Sequence, residues 1–499
     1  MEIELKLALD ARHAARLRKH PRLAGLSSQR RKLNSVYLDT PDFQLLARRL
    51  AFRLRRVGFH WVQTLKAEAR AVGALSSRPE WEMAVAGGGP DFAVLPEAAL
   101  DRLKGIDLAA IRPVFVTEFQ RTTWLIQAGE SVMELALDRG EIRAGQGDAP
   151  ARQALSEIEI ELKSGPPAAL FDLARDLLDA VPLGVEPRSK AERGYHLAGA
   201  LNPAPVNALD PGLAPDQPAG EAWVRIARAA LAQAVANVPG FLAQPEDVAQ
   251  PDDIEYLHQL RVALRRLRAS VGLAASLGLA RPAWAEPLAA LMLRLNPARD
   301  WDVFRHETLP ALERRLADEP LEAALLDRIR AAAVAARQTA RQALIGADFT
   351  RLVLDLGQAL LTPPAAELDA EAWAQRVLDR RWKRLRRLGR HFDAHSPDQR
   401  HQLRIAAKKL RYAADALAGV FDADARPFLK RLSRLQNDLG RFNDVVMAHR
   451  LLADLGVRQT RLSYDLGRIH GLLLGHADVH DRASARVWQE LLHGKRFWR

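Results

Sequence analysis

A chain of 499 residues is too long for one ordinary domain, and two or three are expected. With 48% hydrophobic and 27% charged residues it reads as globular, and the lack of cysteine excludes a disulfide framework and a thiolate metal site. The net charge of +12 is unevenly spread: residues 1–200 hold 29 Lys+Arg against 26 Asp+Glu, leaving 44 against 35 beyond, so an anionic partner is expected chiefly of the second part.

The chain opens on Glu2-Ile3-Glu4-Leu5-Lys6. In an extended strand side chains alternate between faces, so Glu2, Glu4 and Lys6 share one face while Ile3, Leu5 and Leu7 share the other. Two glutamates also stand where the apolar core of a signal peptide would begin. Asp10 to His20 has a helical mixture of Ala, Leu, Arg and Lys, and short alternating segments come after it, broken by turn formers such as Gly87-Gly88-Gly89-Pro90 and Gly145 to Pro150. Within them Arg53 and Arg55 share a face, as do Thr64 and Lys66, then Arg78, Glu80 and Glu82, then Glu134 and Asp138. The opening pattern returns in Glu157-Ile158-Glu159-Ile160-Glu161-Leu162-Lys163. Helices are expected near Pro96 to Leu108 and Ala168 to Ala180. A closed sheet with its charged faces inward would hold rows of acids and bases in one cavity. Burying that much charge is costly without counter-ions, and metal ions for the acids and phosphate oxygens for the bases would supply them.

From Gly199 to Gly220 prolines recur with little periodic hydrophobicity, the mark of a linker. Beyond it the chain reads as α-helical. Its longest uncharged run, Ala229 to Pro245, is shorter than the roughly 20 residues a bilayer requires and is interrupted by polar residues, so a soluble, cytoplasmic protein with no membrane partner is expected. This part contains a repeat. His258-Gln259-Leu260-Arg261 through Arg268 returns as His401-Gln402-Leu403-Arg404 through Arg411, Arg299-Asp300-Trp301-Asp302 is echoed by Arg441-Phe442-Asn443-Asp444, and Glu221-Ala222-Trp223 by Glu371-Ala372-Trp373, at offsets of 143, 142 and 150 residues. Helical spacing puts His258, Arg261, Arg265 and Arg268 on one stripe and Leu260, Leu264 and Leu267 on another; His401, Arg404, Lys408 and Arg411 repeat the first. Ten residues of helix extend about 15 Å, which suits a linear polyanion better than a point anion. The run from Arg376 to Arg390 adds six further bases but reads as a solvated face.

The expected fold class is α+β and multidomain: an N-terminal antiparallel β-barrel tunnel with peripheral helices over 1–200, a linker over 201–220, and an all-α part over 221–499 built of two repeated bundles, 221–362 and 365–499.

In their order, Glu2-x-Glu4-x-Lys6, Tyr37-Leu38-Asp39-Thr40, Arg53-Leu54-Arg55, Thr64-Leu65-Lys66, Arg78-Pro79-Glu80-Trp81-Glu82 and Glu159-Ile160-Glu161-Leu162-Lys163 resemble the CYTH family of triphosphate tunnel metalloenzymes, over residues 1–200. The two His-containing helices resemble the CHAD family, conserved-histidine α-helical domains that bind inorganic polyphosphate, from Ala222 to the C-terminus. CHAD domains commonly follow CYTH domains, as here.

The first resemblance implies metal-dependent hydrolysis of inorganic triphosphate. It implies Glu2, Glu4, Glu159 and Glu161 as catalytic metal ligands with Asp138 as a further one, Glu157 ranking behind them. Lys6, Arg53, Arg55, Lys66, Arg78 and Arg121 would bind phosphates, and Lys190, in the basic segment that closes the tunnel, would join the catalytic set. Carboxylate oxygens suit Mg²⁺ or Mn²⁺, and since nothing indicates a covalent nucleophile, a metal-activated water would attack. Glu80 and Glu82 are expected to pair with the bases. The second resemblance implies inorganic polyphosphate on His258, Arg261, Arg265, Arg266, Arg268, His401, Arg404, Lys408, Lys409 and Arg411, and polyphosphate granules as a place to find the protein.

Three alternatives stand beside this reading. Thiamine triphosphatase and adenylyl cyclase activities occur on the same fold, but no base- or thiamine-recognition element is identifiable. A non-catalytic polyphosphate-binding or targeting protein has no need of acids at positions 2, 4, 159 and 161. A nucleic-acid binder interleaves aromatics for stacking, and the two stripes offer only Tyr412.

Overall fold

The computed structural model describes residues 2–68, 70–145, 149–247, 254–390, 396–456, 460–478 and 481–499. The chain forms two units, Met1–Pro205 with Leu344–Leu361, and Val206–Ala343 with Thr362–Arg499.

In the first unit the alternating segments become an 11-stranded sheet of β1 (Glu2–Leu9), β2 (Ser28–Asp39), β3 (Ala51–Val57), β4 (His60–Lys66), β5 (Arg70–Val72), β6 (Leu75–Arg78), β7 (Glu80–Val85), β8 (Arg112–Ala128), β9 (Ser131–Ala144), β10 (Ala151–Ser164) and β11 (Leu183–Val185). The order is β5-β6-β1-β10-β9-β8-β2-β3-β4-β7, with β11 on β1, and the pairings are antiparallel. Register brings the charged residues into cross-strand rows: Glu4 faces Glu161, Lys6 faces Glu159, Glu157 faces Asp138 and Asp138 faces Arg121. Among the described residues the ladder ends at β5 and β7 without closing, so the expected barrel is a strongly curled sheet. Its two sides meet across the concave face, where Lys66 of β4 reaches Glu2 of β1 at 3.0 Å.

The opposite face is apolar, with Leu5, Leu7, Phe52, Leu65, Leu135, Ile158 and Ile160 all 0% exposed. Each such side chain contributes about 1.5–3 kcal/mol, which offsets the cost of charge on the concave side. The helix Ala168–Ala180 packs on β1 and β10, and Glu97–Leu103 sends Ala99 and Leu103 into a cluster with Leu38, Phe52, Leu54 and Leu65. The helix expected from Asp10 to His20 is reduced to a 3₁₀ turn, Ala11–His13, followed by Ala14–Arg18. The one expected from Pro96 to Leu108 ends at Leu103, two residues before Gly105 takes φ 75°.

The helix Lys190–Leu197 lies against β8, β9 and β10, its N-terminus closed by a capping box between Ser189 and Glu192. A Cβ at Gly194 would fall 2.0 Å from the Phe115 ring, so the absence of a side chain there lets the helix approach the sheet. Tyr195 packs edge-on to Phe115 and donates its hydroxyl to Asp39 at 2.9 Å.

In the second unit the repeat is visible as two sets of three helices: Ala219–Ala243, Glu255–Ala274 and Ala285–Val303, then Ala370–Leu388, Pro397–Leu417 and Arg426–Ala453. The expected apolar stripes are buried, Leu260, Leu264 and Leu267 in one copy and Leu403, Ala407 and Leu410 in the other. Trp223 and Trp373, at equivalent places, donate their indole N–H to the Ser270 carbonyl and the Ser276 hydroxyl, both at 2.9 Å. The side chains of the second echo, 441–445, lie outside the described residues. The helix Ala219–Ala243 is long and apolar enough by composition to cross a membrane, unlike the shorter run read from the sequence. It is nonetheless a core helix of this unit, most of its apolar residues buried and its Gln233 and Asn237, both 0% exposed, hydrogen-bonded inside. The Pro-rich segment has little regular structure but is tied down, Val206 N–H donating to Asn237 Oδ1 at 2.9 Å and Arg225 to the Gly212 carbonyl at 2.7 Å.

Candidate functional site

Strand alternation and register put the charged residues of most of these strands on the concave face, where they form two groups. The first centres on the start of β1. Glu2 is bonded by Lys66 and by Arg78 at 3.3 Å, and Glu4 by Arg78 at 2.8 Å and Ser76 at 3.2 Å. Lys66 also reaches Glu80 at 2.7 Å, and Arg53 lies 3.6 Å from Glu80 and 3.9 Å from Glu82. Burial works to raise the Glu2 carboxyl, but Lys66, a hydrogen bond with Glu80 and Arg78 together hold it down to about 2. Burial and the hydrogen bond with Glu2 push the Glu80 carboxyl above its ordinary value.

The second group surrounds Lys190. Its ammonium lies 2.5 Å from Glu157, 2.7 Å from Glu159 and 2.8 Å from Asp138, with the Phe119 ring beneath. Burial alone would discharge it, yet Asp138, Glu157 and Glu159 keep its pKa above that of an ordinary lysine. Arg121 grips Asp138 with two hydrogen bonds of 2.7 and 2.6 Å and also bonds Glu159. Arg193 bonds Glu157, and Lys6 donates to the Arg188 carbonyl. Asp138 and Glu157 are both 0% exposed.

Two places on this face lack compensation. Burial and the like charge of Glu159 push the Glu4 carboxyl above its ordinary value, which Arg78 does not fully offset. Glu161, directly across from Glu4, has among the described residues only Lys163 at 2.7 Å as an ion-pair partner and is partly exposed. Glu4 and Glu161 thus offer carboxylate oxygens short of counter-charge, with Glu159 beside them but already bonded by Lys190 and Arg121, and a hard divalent cation fits that set. The acids Asp138, Glu157 and Glu159 also bring ligand oxygens within 4.8 Å of one another, but there the Lys190 ammonium already serves as the cation. The second uncompensated place is basic. Among the described residues Arg55 bonds only Ser35, at 3.0 Å, and burial with the neighbouring Arg53 charge pushes it down to about 10. Burial likewise pushes Lys6 down. The buried Arg53 Nε and the Thr117 hydroxyl have no partner among the described residues. Anionic oxygens would satisfy all of them.

The structure therefore gathers every expected concave-face residue, from Glu2 to Lys190, onto one surface. The sequence reading placed Glu157 behind the other acids and did not single out Arg193, and both lie in the Lys190 group. The signals were available: Glu157 sits two residues before Glu159 on a strand, and Arg193 three after Lys190 on a helix.

In the second unit the helices Glu255–Ala274 and Pro397–Leu417 pack together, and Arg266 of one pairs with Asp415 of the other at 3.0 Å. Arg261 donates to the Asn296 carbonyl at 2.9 Å and lies 3.7 Å from Asp300. Burial pushes Arg261 down to about 10 despite Asp300, with Arg265 and Arg299 adding like charge. Burial and Arg299 lower His258 as well. Among the described residues Arg265 Nε and Arg299 Nη1 are buried without a partner, and His258, Arg261, Arg265 and Arg299 crowd into a cationic group with unmet donors. Arg268 is exposed. Arg299 was visible in the sequence only as a repeat echo. In the second copy Arg411 donates to Gln436 at 2.7 Å and lies over Tyr412, His401 and Lys409 are exposed, and Arg404 and Lys408 are half-buried on the same helix.

Family models match this chain twice, the CYTH domain over residues 1–195 and the CHAD domain over 225–453. An inorganic triphosphatase of Haemophilus influenzae is 34% identical over 198 residues, 39% of this chain and 54% of that protein, so the match spans about half of that relative's length. An uncharacterized protein of Mycobacterium tuberculosis is 28% identical over 417 residues, 78% of this chain and 76% of its own. Among solved structures, the CHAD domain from the plant Ricinus communis aligns with a TM-score of 0.51 at 28% identity, over 59% of this chain and 98% of that one.

Proposed function

Because this chain carries a CYTH domain at 1–195 followed by a CHAD domain at 225–453, we propose that it hydrolyses inorganic triphosphate on the concave face of its sheet and binds inorganic polyphosphate on its helical unit. The observation that carries the first half is the coexistence on one face of acids short of counter-charge, Glu4 with Glu161 across from it, and bases short of counter-charge, Arg55 and Lys6. A site for one ion needs only one of these. A polyphosphate with its metal needs both, and the triphosphatase named among the relatives supports the same substrate.

A bound Mg²⁺ or Mn²⁺ would supply charge neutralisation at the phosphate oxygens and acidify a water. Glu4, Glu159 and Glu161 would hold it, with Glu2 ionised beside them. Arg53, Arg55 and Lys6 bind and orient the phosphates, Arg55 already aimed by Ser35. Water adds to the terminal phosphorus as the bond to the bridging oxygen breaks, giving orthophosphate and diphosphate, and the arginines stabilise the charge left on the departing oxygen. Lys190 and Arg121 hold Glu159 and Asp138 in place.

On the helical unit the support is the crowd of His258, Arg261, Arg265 and Arg299, cationic and short of acceptors. Steady-state turnover of tripolyphosphate, ATP and thiamine triphosphate with Mg²⁺ or Mn²⁺ tests the tunnel reading. Preference for tripolyphosphate by about tenfold or more in kcat/KM is expected, and a preference for either organic triphosphate overturns the substrate assignment.

A further inference from the structure

We infer that the helix Ala347–Ala359, which lies in sequence between the two helical repeats, is a working part of the triphosphate site, with Thr350 as a positioning residue. The inference rests on triphosphate hydrolysis at the concave face. This helix belongs to the first unit. Thr350 is 0% exposed, and its hydroxyl donates to the Leu183 carbonyl at 2.8 Å. A buried helical threonine commonly bonds back to its own helix. Here the bond leaves the helix for the first residue of β11.

From Leu183 the chain runs by a short, stiff path into the site. Leu183, Gly184 and Val185 pair with Leu9, Ala8 and Leu7 of β1, the strand that carries Glu2, Glu4 and Lys6. Glu186 then binds the Arg188 backbone N–H at 3.0 Å and its guanidinium at 2.8 Å. The Arg188 carbonyl accepts from Lys6, Ser189 caps the next helix, and Lys190 enters among Asp138, Glu157 and Glu159. Prolines at 182 and 187 restrict the backbone of this run, so a shift at Leu183 is poorly absorbed before Lys190. The Thr350 bond therefore fixes the origin of the segment that places Lys190, which holds Glu159 and Asp138, and that bonds Lys6.

The docking is reinforced on the helix Ala168–Ala180. Arg175 reaches Asp355 at 3.2 Å and Gln358 at 2.5 Å, Gln358 donates to Asp172 at 3.1 Å, and Arg351 pairs with Asp179. Those contacts are partly exposed and individually weak. The buried hydroxyl is the one whose loss strands an acceptor.

The test uses the full chain. Thr350→Val keeps the shape and removes the donor, and Thr350→Ser keeps the donor. With tripolyphosphate and Mg²⁺, Thr350→Val is expected to lower kcat about tenfold with a smaller change in KM, and Thr350→Ser to stay within about twofold of wild type. Normal kcat in folded Thr350→Val, or equal losses in both variants, overturns the inference. Should Thr350→Val fail to fold, Thr350→Ala removes the same donor with a smaller side chain, and an unaltered kcat there overturns it equally. An inactive wild-type protein overturns the reading of the concave face and this inference with it, whereas an active wild type silenced by Glu4→Gln leaves the Thr350 comparison to decide the inference alone.

Discussion

The two units handle charge in opposite ways. On the concave face of the sheet, acids and bases interleave until most are bonded to an opposite charge, as in the Lys190 group with its three carboxylates or Arg78 between Glu2 and Glu4. On the helical unit, His258, Arg261, Arg265 and Arg299 stand together; Arg261 lies 3.7 Å from Asp300 and Arg299 3.5 Å from Glu307, yet among the described residues Arg265 Nε and Arg299 Nη1 have no partner. Interleaving holds each group at a fixed place, leaving small and local deficits that match a metal and a few phosphates. Crowding of one sign leaves a deficit spread along a helix, which any stretch of a polyanion can relieve. The first arrangement can direct a reaction, and the second can only retain a ligand.

The sharpest way to break this comparison is to remove one acid from the first unit. Glu4→Gln, nearly isosteric, is expected to lower kcat by about a thousandfold or more by removing a metal ligand, and chelator is expected to do the same to wild type. Polyphosphate binding by the same full-length variant, followed by isothermal titration, should not change. Turnover near the wild-type rate would mean that the acid deficit at Glu4 is not a cation site.

The next effect belongs to the helical unit. Replacing Arg261, Arg265 and Arg299 by Ala is expected to weaken long-chain polyphosphate about a hundredfold and to flatten its salt dependence, since fewer counter-ions are exchanged. Tripolyphosphate hydrolysis should be untouched. Equal losses for long and short chains would show a local site instead of a distributed one.

How much of this contrast was legible in the sequence depends on the range of the interactions involved. Glu2, Glu4, Lys6, Glu159 and Glu161 announce their shared face because strand alternation is local, and His258 and His401 announce theirs through helical spacing and repetition. The illegible part rests on distant pairing. That Lys190 would sit among Asp138, Glu157 and Glu159 depends on a helix laid against the sheet, which in turn needs Gly194 beside Phe115. Nothing within Ala347–Ala359 says which unit it joins, because its apolar face would suit a bundle equally well and its place is decided by distant partners, Leu183 for Thr350 and the helix Ala168–Ala180 for Arg351, Asp355 and Gln358. The incomplete closure of the sheet was hidden for the same reason: alternation fixes faces but not which strands end a ladder.

A smaller effect sharpens the acid side of the comparison. Glu4 must be ionised to serve as a metal ligand, and burial with the Glu159 charge holds its pKa above 4.5. A raised pKa moves the acidic limit of activity upward, so kcat/KM should fall about tenfold per pH unit below a midpoint lying above 4.5. Since Glu2 is held at about 2, it stays ionised through this range and does not set the limb. Higher Mg²⁺ competes with the proton and should move the midpoint down. A profile flat to pH 4 would assign the limiting ligand elsewhere.

The smallest effect concerns His258 and has the opposite sign. Burial and the charge of Arg299 lower its pKa below 6.5, so at neutral pH the ring is uncharged. A bound polyphosphate brings negative charge to the same place and offsets the arginines, which raises the pKa of the ring in the complex relative to the free protein. Binding is then linked to proton uptake, and affinity must increase as pH falls through the interval between the two values. Between about pH 8 and pH 5.5 the long-chain affinity of the wild type is expected to rise about threefold from this residue, and His258→Asn should lose that increment while keeping its affinity at pH 8. Titrating His401→Asn in parallel asks whether the exposed copy shares the behaviour. If the pH dependence of His258→Asn equals that of wild type, the ring is a packed element of the helix, and the cationic group reduces to its three arginines.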